Sequence, residues 1–201
     1  MSRGEGDAHP ADATRSALPD DARAVLDFWF LELGPPDWFT SSASLDRTIA
    51  DRFGAVHRDA AAGRLDHWAE TANGLLALVI VLDQFSRNIH RDSPYAYAQD
   101  EAAQALTCRA LEKDWDTGLG MSQRQFLYMP LMHAEDAGLQ RLGVEKYTRL
   151  AEDAKDILGF AESHLSIVEQ FGRFPYRNKV LGRPTTEDER EWIDENGNPF
   201  A

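Results

Sequence analysis

Two groups of charged side chains carry the chemistry open to this sequence. The first closes the run Asn73–Arg91, NGLLALVIVLDQFSRNIHR, and comprises Asp83, Gln84, Arg87, Asn88, His90 and Arg91. The second lies in VEQFGRFPYRN and comprises Glu169, Gln170, Arg173, Tyr176, Arg177 and Asn178. Arginine presents a rigid fork of donors that matches a carboxylate or a phosphate. Between the two groups, His133 and Glu135 supply a base and an acid within HAED. One reading is therefore a small anionic metabolite held by Arg87 and Arg173, with His133, assisted by Glu135, moving a proton. A second reading uses the same charges as structural ion pairs that fix helix register, Asp83 with Arg87 and Glu169 with Arg173, one helical turn apart. Substituting Arg87 would then cost stability and remove no ligand.

Other chemistries lack their signatures. His90, His133, His164 and Glu135 would have to converge to hold a metal, yet no His-Glu-x-x-His and no paired-cysteine spacing is present. No metal and no cofactor is expected, because the chain has no Gly-rich phosphate loop, dinucleotide fingerprint or Gly-x-Ser-x-Gly elbow. The one cysteine, Cys108, excludes an intramolecular disulfide, agrees with a cytoplasmic location and lies in an alanine-rich helical stretch as a core or semi-buried residue. The formal charge of -13 argues against nucleic acid. No apolar run is long enough for a membrane span or a secretory leader.

The elements that must position these residues read as helices. Leu75–Leu82 is continuously apolar. Val79, Ile80 and Val81 favour a strand by local propensity, but Phe85 and Ile89 continue the face at helical steps, so a helix opened by Asn73 as N-cap is predicted. It should stop near Asp92, before Pro94. Residues 1–19 read as a disordered tail and 20–201 as one all-helical domain. The predicted helices run from Asp20 or Asp21 to Leu33, from Ser44 to Ala62 and over Tyr95–Asp114, the last opened by Pro94. A fifth, Gln123–Ala137, is capped by Ser122, kinked at Pro130 and stopped by Gly138. Leu139–Asp153, Leu158–Phe174 with Ala161 on its apolar face, and Glu187–Asp194 follow, before a coil through Gly197 and Pro199. Tyr95, Tyr97, Phe126, Tyr128, Met129 and Met132 could wall a ligand, although core packing accounts for most of them.

An internal echo links the two charged groups. Ile80–Arg87 and Ser166–Arg173 each run apolar pair, acid, Gln, Phe, small residue, Arg. This reads as a degenerate repeat of two helices with similar packing roles. Five Trp and ten Phe are enough to fill helix interfaces and to supply a face for a homodimer or an unidentified protein partner.

Four ordered motifs then bring a family into view: VLDFWF at Val25–Phe30, LDQFSRNIHR at Leu82–Arg91, YMPLMHAED at Tyr128–Asp136 and VEQFGRFPYRN at Val168–Asn178. Together they resemble the bacterial family called domain of unknown function 924, from about Asp20 onward. The resemblance implies a compact all-α, antiparallel helical array similar to tetratricopeptide-repeat proteins. It marks Asp83, Gln84, Phe85, Arg87, Asn88, His133, Glu135, Glu169, Gln170, Arg173, Pro175 and Asn178. It implies no substrate, cofactor or partner. Helix-pair proteins of that kind commonly present a groove to a peptide, so a protein-interaction module is the alternative to a metabolite pocket.

Overall fold

Among the residues described by the computed structural model, 18–197 without the side chains of Asp156, Ile157, Phe160 and Ala161, all regular structure is helical and none is strand. The tail expected over 1–19 lies outside the described residues up to position 17, as does Pro199; of the tail, Leu18 is buried against the core. The expected role of Ala161 on an apolar face also falls outside them. The chain divides into two compact units, residues 1–150 and 151–201. No helix among the described residues is long and apolar enough to cross a membrane.

The first unit is built round one helix. This helix, α3, comprises α-helical Ala72–Val79, π-helical Ile80–Phe85 and α-helical Ser86–Ile89. The continuous apolar run explains its place, because Leu75 to Leu82 are all buried. Each large side chain contributes roughly 1.5–3 kcal/mol by leaving water. Helix α1 (Asp20–Asp27, continuing as π-helical Phe28–Glu32) and helix α2 (Ala43–Ala61) pack on it, as do α4 (Asp100–Glu112) and α5 (Met121–His133). Helices α2 and α3 run antiparallel: Asp46 near the start of α2 bonds Asn88 in the last turn of α3 and Arg91 just past its end, and His57 further along α2 bonds Ser86. Between them Phe53 lies 5.0 Å from Phe85, and Phe28, Trp29 and Phe126 extend the aromatic cluster.

Several boundaries differ from the sequence reading. The N-cap of α3 is Thr71, whose hydroxyl accepts from the Gly74 amide at 3.1 Å, and Asn73 lies inside the first turn. That turn crowds the preceding 3-10 turn Asp66–Glu70 so closely that a Cβ on Gly74 would stand 2.1 Å from the Trp68 carbonyl. Pro94 opens a 3-10 turn, Pro94–Tyr97, and α4 begins only at Asp100. Helix α5 starts after Gly120, whose amide is bonded by the Gln123 side chain, so Ser122 is not its cap. It continues as one α-helix through Pro130 and ends at His133. The carbonyls next to the one that Pro130 deprives of a donor are taken from outside: Tyr147 bonds Gln125 O at 2.8 Å and Thr107 bonds Leu127 O at 2.9 Å. Gly138 is not a stop, because Asp136 accepts from the amides of Gly138 and Leu139 and starts the next helix. That helix, α6 (Ala137–Phe171), joins the two segments expected at Leu139–Asp153 and Leu158–Phe174. Helix α7 (Glu187–Asn196) ends the described chain.

Candidate active site

The site begins with the winding of α3. A π-turn carries an extra residue and leaves a carbonyl without its usual amide partner. Side chains fill the gap here: Ser86 Oγ donates to Leu82 O at 2.6 Å, and Arg87 Nη1 donates to Asp83 O at 2.8 Å. The same winding carries Asp83, a carboxylate with no exposed surface, within the core-facing part of the helix.

A buried carboxylate must be paired. Asp83 Oδ1 lies 3.1 Å from Arg87 Nη1 and 2.8 Å from His133 Nδ1, and Oδ2 accepts from Gln84 Nε2. A carboxylate only accepts, so the proton of neutral His133 sits on Nδ1. The other ring nitrogen, Nε2, has no protein partner among the described residues, and the His133 side chain is about a quarter exposed. The arrangement fixes the imidazole by one nitrogen and leaves the second as a base. Any imidazolium formed there is stabilised by Asp83.

His133 opens on a hollow of about 650 Å³, lined also by Arg87, Tyr97, Asp100, Glu101, Gln104, Glu135 and Asp136. Arg87 is bidentate to Asp100, with Nη1–Oδ1 and Nη2–Oδ2 both 3.0 Å, while its Nε has no acceptor. Asp136 is engaged by the first amides of α6, whereas Glu101 and Glu135 are exposed and have no ion pair among the described residues. The acid that holds His133 is Asp83, and Glu135 stands in the lining of the same hollow. Tyr97 lines the hollow, whereas Phe126, Tyr128 and Met129 are buried core and Met132 and Tyr95 are exposed.

The rest of the first charged group has partners of its own. Asn88 donates to Asp46 at 2.8 Å and Arg91 grips the same carboxylate at 2.6 and 2.7 Å. The Arg91 guanidinium holds the Asp46 carboxyl below its usual range, with Asn88 adding to the effect against partial burial. His90 packs its ring 5.3 Å from His57 and 5.9 Å from Tyr95. Since Ser86 donates to Leu82 O, His57 Nε2 donates to Ser86 at 2.8 Å. Burial, and then the neighbouring His90 and Arg58, push the His57 pKa below its ordinary 6.5.

In the second charged group, Arg173 and Asn178 bond partners within the second unit. Arg173 does not pair with Glu169; it is bidentate to Glu189 at 2.6 and 2.8 Å and also bonds Pro184 O at 3.0 Å. Glu189 is the third residue of α7 and closes a capping box with Thr186, accepting from Thr186 N at 2.8 Å. Asn178 donates to Glu189 at 3.1 Å. Arg173 foremost, and the Thr186 amide next, hold the Glu189 carboxyl at about 2. Arg177 lies 4.5 Å over the Phe174 ring, and Glu169 and Gln170 are exposed. Sequence reasoning missed Glu189, although Thr186-x-x-Glu189 before an apolar pair is a legible capping signal. It missed Asp100 too, whose only sign was an acid at a helix start.

Among the described residues no group of three His, Cys, Asp or Glu side chains is arranged to hold a metal. A search of curated proteins finds no match. A solved structure of a protein of unknown function from Agrobacterium tumefaciens is similar, at 38% identity over 87% of this chain and 97% of that one, with a TM-score of 0.58. The family model described as bacterial protein of unknown function, DUF924, matches residues 25–197, and the chain belongs to that family.

Proposed function

We propose that the hollow beside His133 binds a small metabolite bearing an anionic group and transfers a proton on it, with His133 as the base and Asp83 as the group that orients it. The observation that carries this reading is the His133 Nδ1 to Asp83 Oδ1 hydrogen bond of 2.8 Å, made by a wholly buried carboxylate to an imidazole that lines a cavity. Arg87 supplies the anion's partner through its unengaged Nε and its remaining Nη2 hydrogen. Arg173, engaged by Glu189, belongs in this reading to a structural lock of the second unit.

The likeness to tetratricopeptide-repeat proteins enters here as an analogy of helix pairing, carried by the antiparallel contact of α2 and α3. It would make the chain a peptide-binding module. The polar, carboxylate-rich lining of the hollow favours a small charged molecule over a hydrophobic peptide face.

The test is a thermal-shift panel of small carboxylates, phosphates and amino acids on wild type and on Arg87→Met. A ligand of the folded state at about a hundred times its Kd adds about 2.7 kcal/mol of apparent stability. One chemical class should raise the melting temperature of wild type and lose its effect in a folded Arg87→Met protein. A wild-type shift that survives unchanged in Arg87→Met and in His133→Gln would overturn the reading.

A further inference from the structure

We infer that the ligand of this site is dipolar, with an acidic group against Arg87 and Arg91 and a protonated amine near Glu101 and Glu135. The inference rests on the small-molecule reading above and adds the class of molecule. A second hollow, of about 660 Å³, shares Arg87 and Tyr97 with the first, so these two side chains form a common wall. The charge changes sign across that wall. On one side the charged lining is Arg87, Arg91 and Asp92; on the other it is Arg87 and His133 against Asp100, Glu101, Glu135 and Asp136.

The groups still available to a ligand divide in the same way. Arg91 uses Nε and Nη2 on Asp46 and keeps Nη1, and Arg87 keeps Nε. Across the wall, Asp100 is engaged by Arg87 and Asp136 by the start of α6, which leaves Glu101 and Glu135 without an ion pair among the described residues. A simple anion placed beside His133 would face those carboxylates uncompensated. A simple cation would leave the arginine donors idle. A molecule with both charges satisfies each set, and its amine end then lies in the hollow that His133 lines. Tyr97, with its ring 5.6 Å from the Arg87 guanidinium and 63% exposed, offers an apolar surface for the linking chain.

The experiment is an amide chemical-shift titration of the full chain at neutral pH. The probes are ω-amino carboxylates of increasing length, the matching monocarboxylates and the matching alkylamines. One chain length of amino carboxylate should move the signals of Arg91, Ser93, Glu101 and His133 together. It should bind about two- to fivefold more tightly than either singly charged parent, the gain expected of a partly exposed second ion pair. Glu101→Gln with Glu135→Gln, both at exposed positions, should bring the amino carboxylate down to the level of the monocarboxylate. Arg91→Met should bring it down to that of the amine. If the monocarboxylate binds as tightly as every amino carboxylate and still moves His133, the dipolar ligand is wrong while the proton-transfer site stands. If no probe moves His133 or Arg91, the dipolar ligand is overturned, and a thermal-shift hit lost in Arg87→Met would leave the broader reading in place.

Discussion

Asp83 and His133 stand fifty positions apart in sequence and share a hydrogen bond of 2.8 Å between a buried carboxylate and a ring that lines a cavity. The bond joins the π-wound centre of α3 to the last residue of α5. It brings LDQFSR and YMPLMHAED together. The bond direction also assigns the tautomer: in the neutral ring the proton is on Nδ1 and the lone pair on Nε2. Nitrogen-15 spectra of histidine-labelled protein should show this tautomer for His133 in wild type and a mixture of tautomers in Asp83→Asn, whose amide can donate as well as accept.

Asp83→Ala should be costly. It leaves Arg87 with Asp100 alone, frees His133 and Gln84 of their acceptor, and opens a void in the packed core. We expect a loss of about 2–4 kcal/mol in denaturant unfolding, below the full cost of orphaning a buried charge because Arg87 keeps a second carboxylate. Glu135→Ala, at an exposed position, should change stability by less than about 0.5 kcal/mol. Equal effects of the two would contradict the assignment of Asp83 as the acid that holds His133.

Gly74→Ala tests the entry to the central helix. A Cβ there would meet the Trp68 carbonyl oxygen at 2.1 Å and the Thr71 hydroxyl at 3.0 Å, and the first of these is backbone that cannot swing aside. We expect about 1–3 kcal/mol of destabilisation by equilibrium unfolding, where an ordinary helical glycine would gain from the same change. Retained or increased stability would show that the 3-10 turn Asp66–Glu70 moves freely against α3.

Histidine 57 should make the fold sensitive to mild acid. Its pKa is lowered in the folded chain, so the unfolded chain binds more protons between the folded value and 6.5. The stability it contributes is complete above 6.5 and is lost as pH falls through the folded pKa. A chemical-unfolding series across that range should show the decline in wild type and a smaller decline in His57→Gln, which keeps a donor for Ser86. Identical pH profiles would remove His57 as the cause.

The second unit should be sensitive to stronger acid. The Glu189 carboxyl is held at about 2 against an ordinary 4.5, so its contribution is complete above 4.5 and is lost as pH falls toward 2. In Glu189→Gln, amides of Thr186 to Arg190 should exchange with solvent faster than in wild type at neutral pH. The amides of α3 should be unaffected, since every bond that Glu189 makes lies within the second unit. Slower or unchanged exchange at Thr186 and Glu189 would argue against the capping lock.

The legible part of this molecule was the part written in local patterns. The apolar run of α3, its stop before Pro94 and the all-helical content of the described residues follow from period and turn chemistry. Arg87 and Asp83 could be paired from their one-turn spacing, and His133 could be singled out by its type. The partners across the fold could not. Asp46, Asp100 and Glu189 are ordinary acids in acidic helices until the chain brings an arginine to each. The echo between Ile80–Arg87 and Ser166–Arg173 illustrates the limit. The same residue order holds a buried carboxylate at Asp83 and an exposed one at Glu169, because neighbouring helices and not the local sequence decide burial. The long helix α6 was read as two because its middle, Asp153 to Leu158, lacks a strong apolar face, yet no proline interrupts it.

The most direct test of the central claim is nitrogen-15 observation of the His133 ring while a thermal-shift hit is titrated into the protein. The account predicts a proton on Nδ1 in the free protein and a ligand-dependent change at Nε2, absent in a folded Arg87→Met variant. A ring whose two nitrogens are indifferent to every stabilising ligand, or whose proton sits on Nε2 in the free protein, would contradict it.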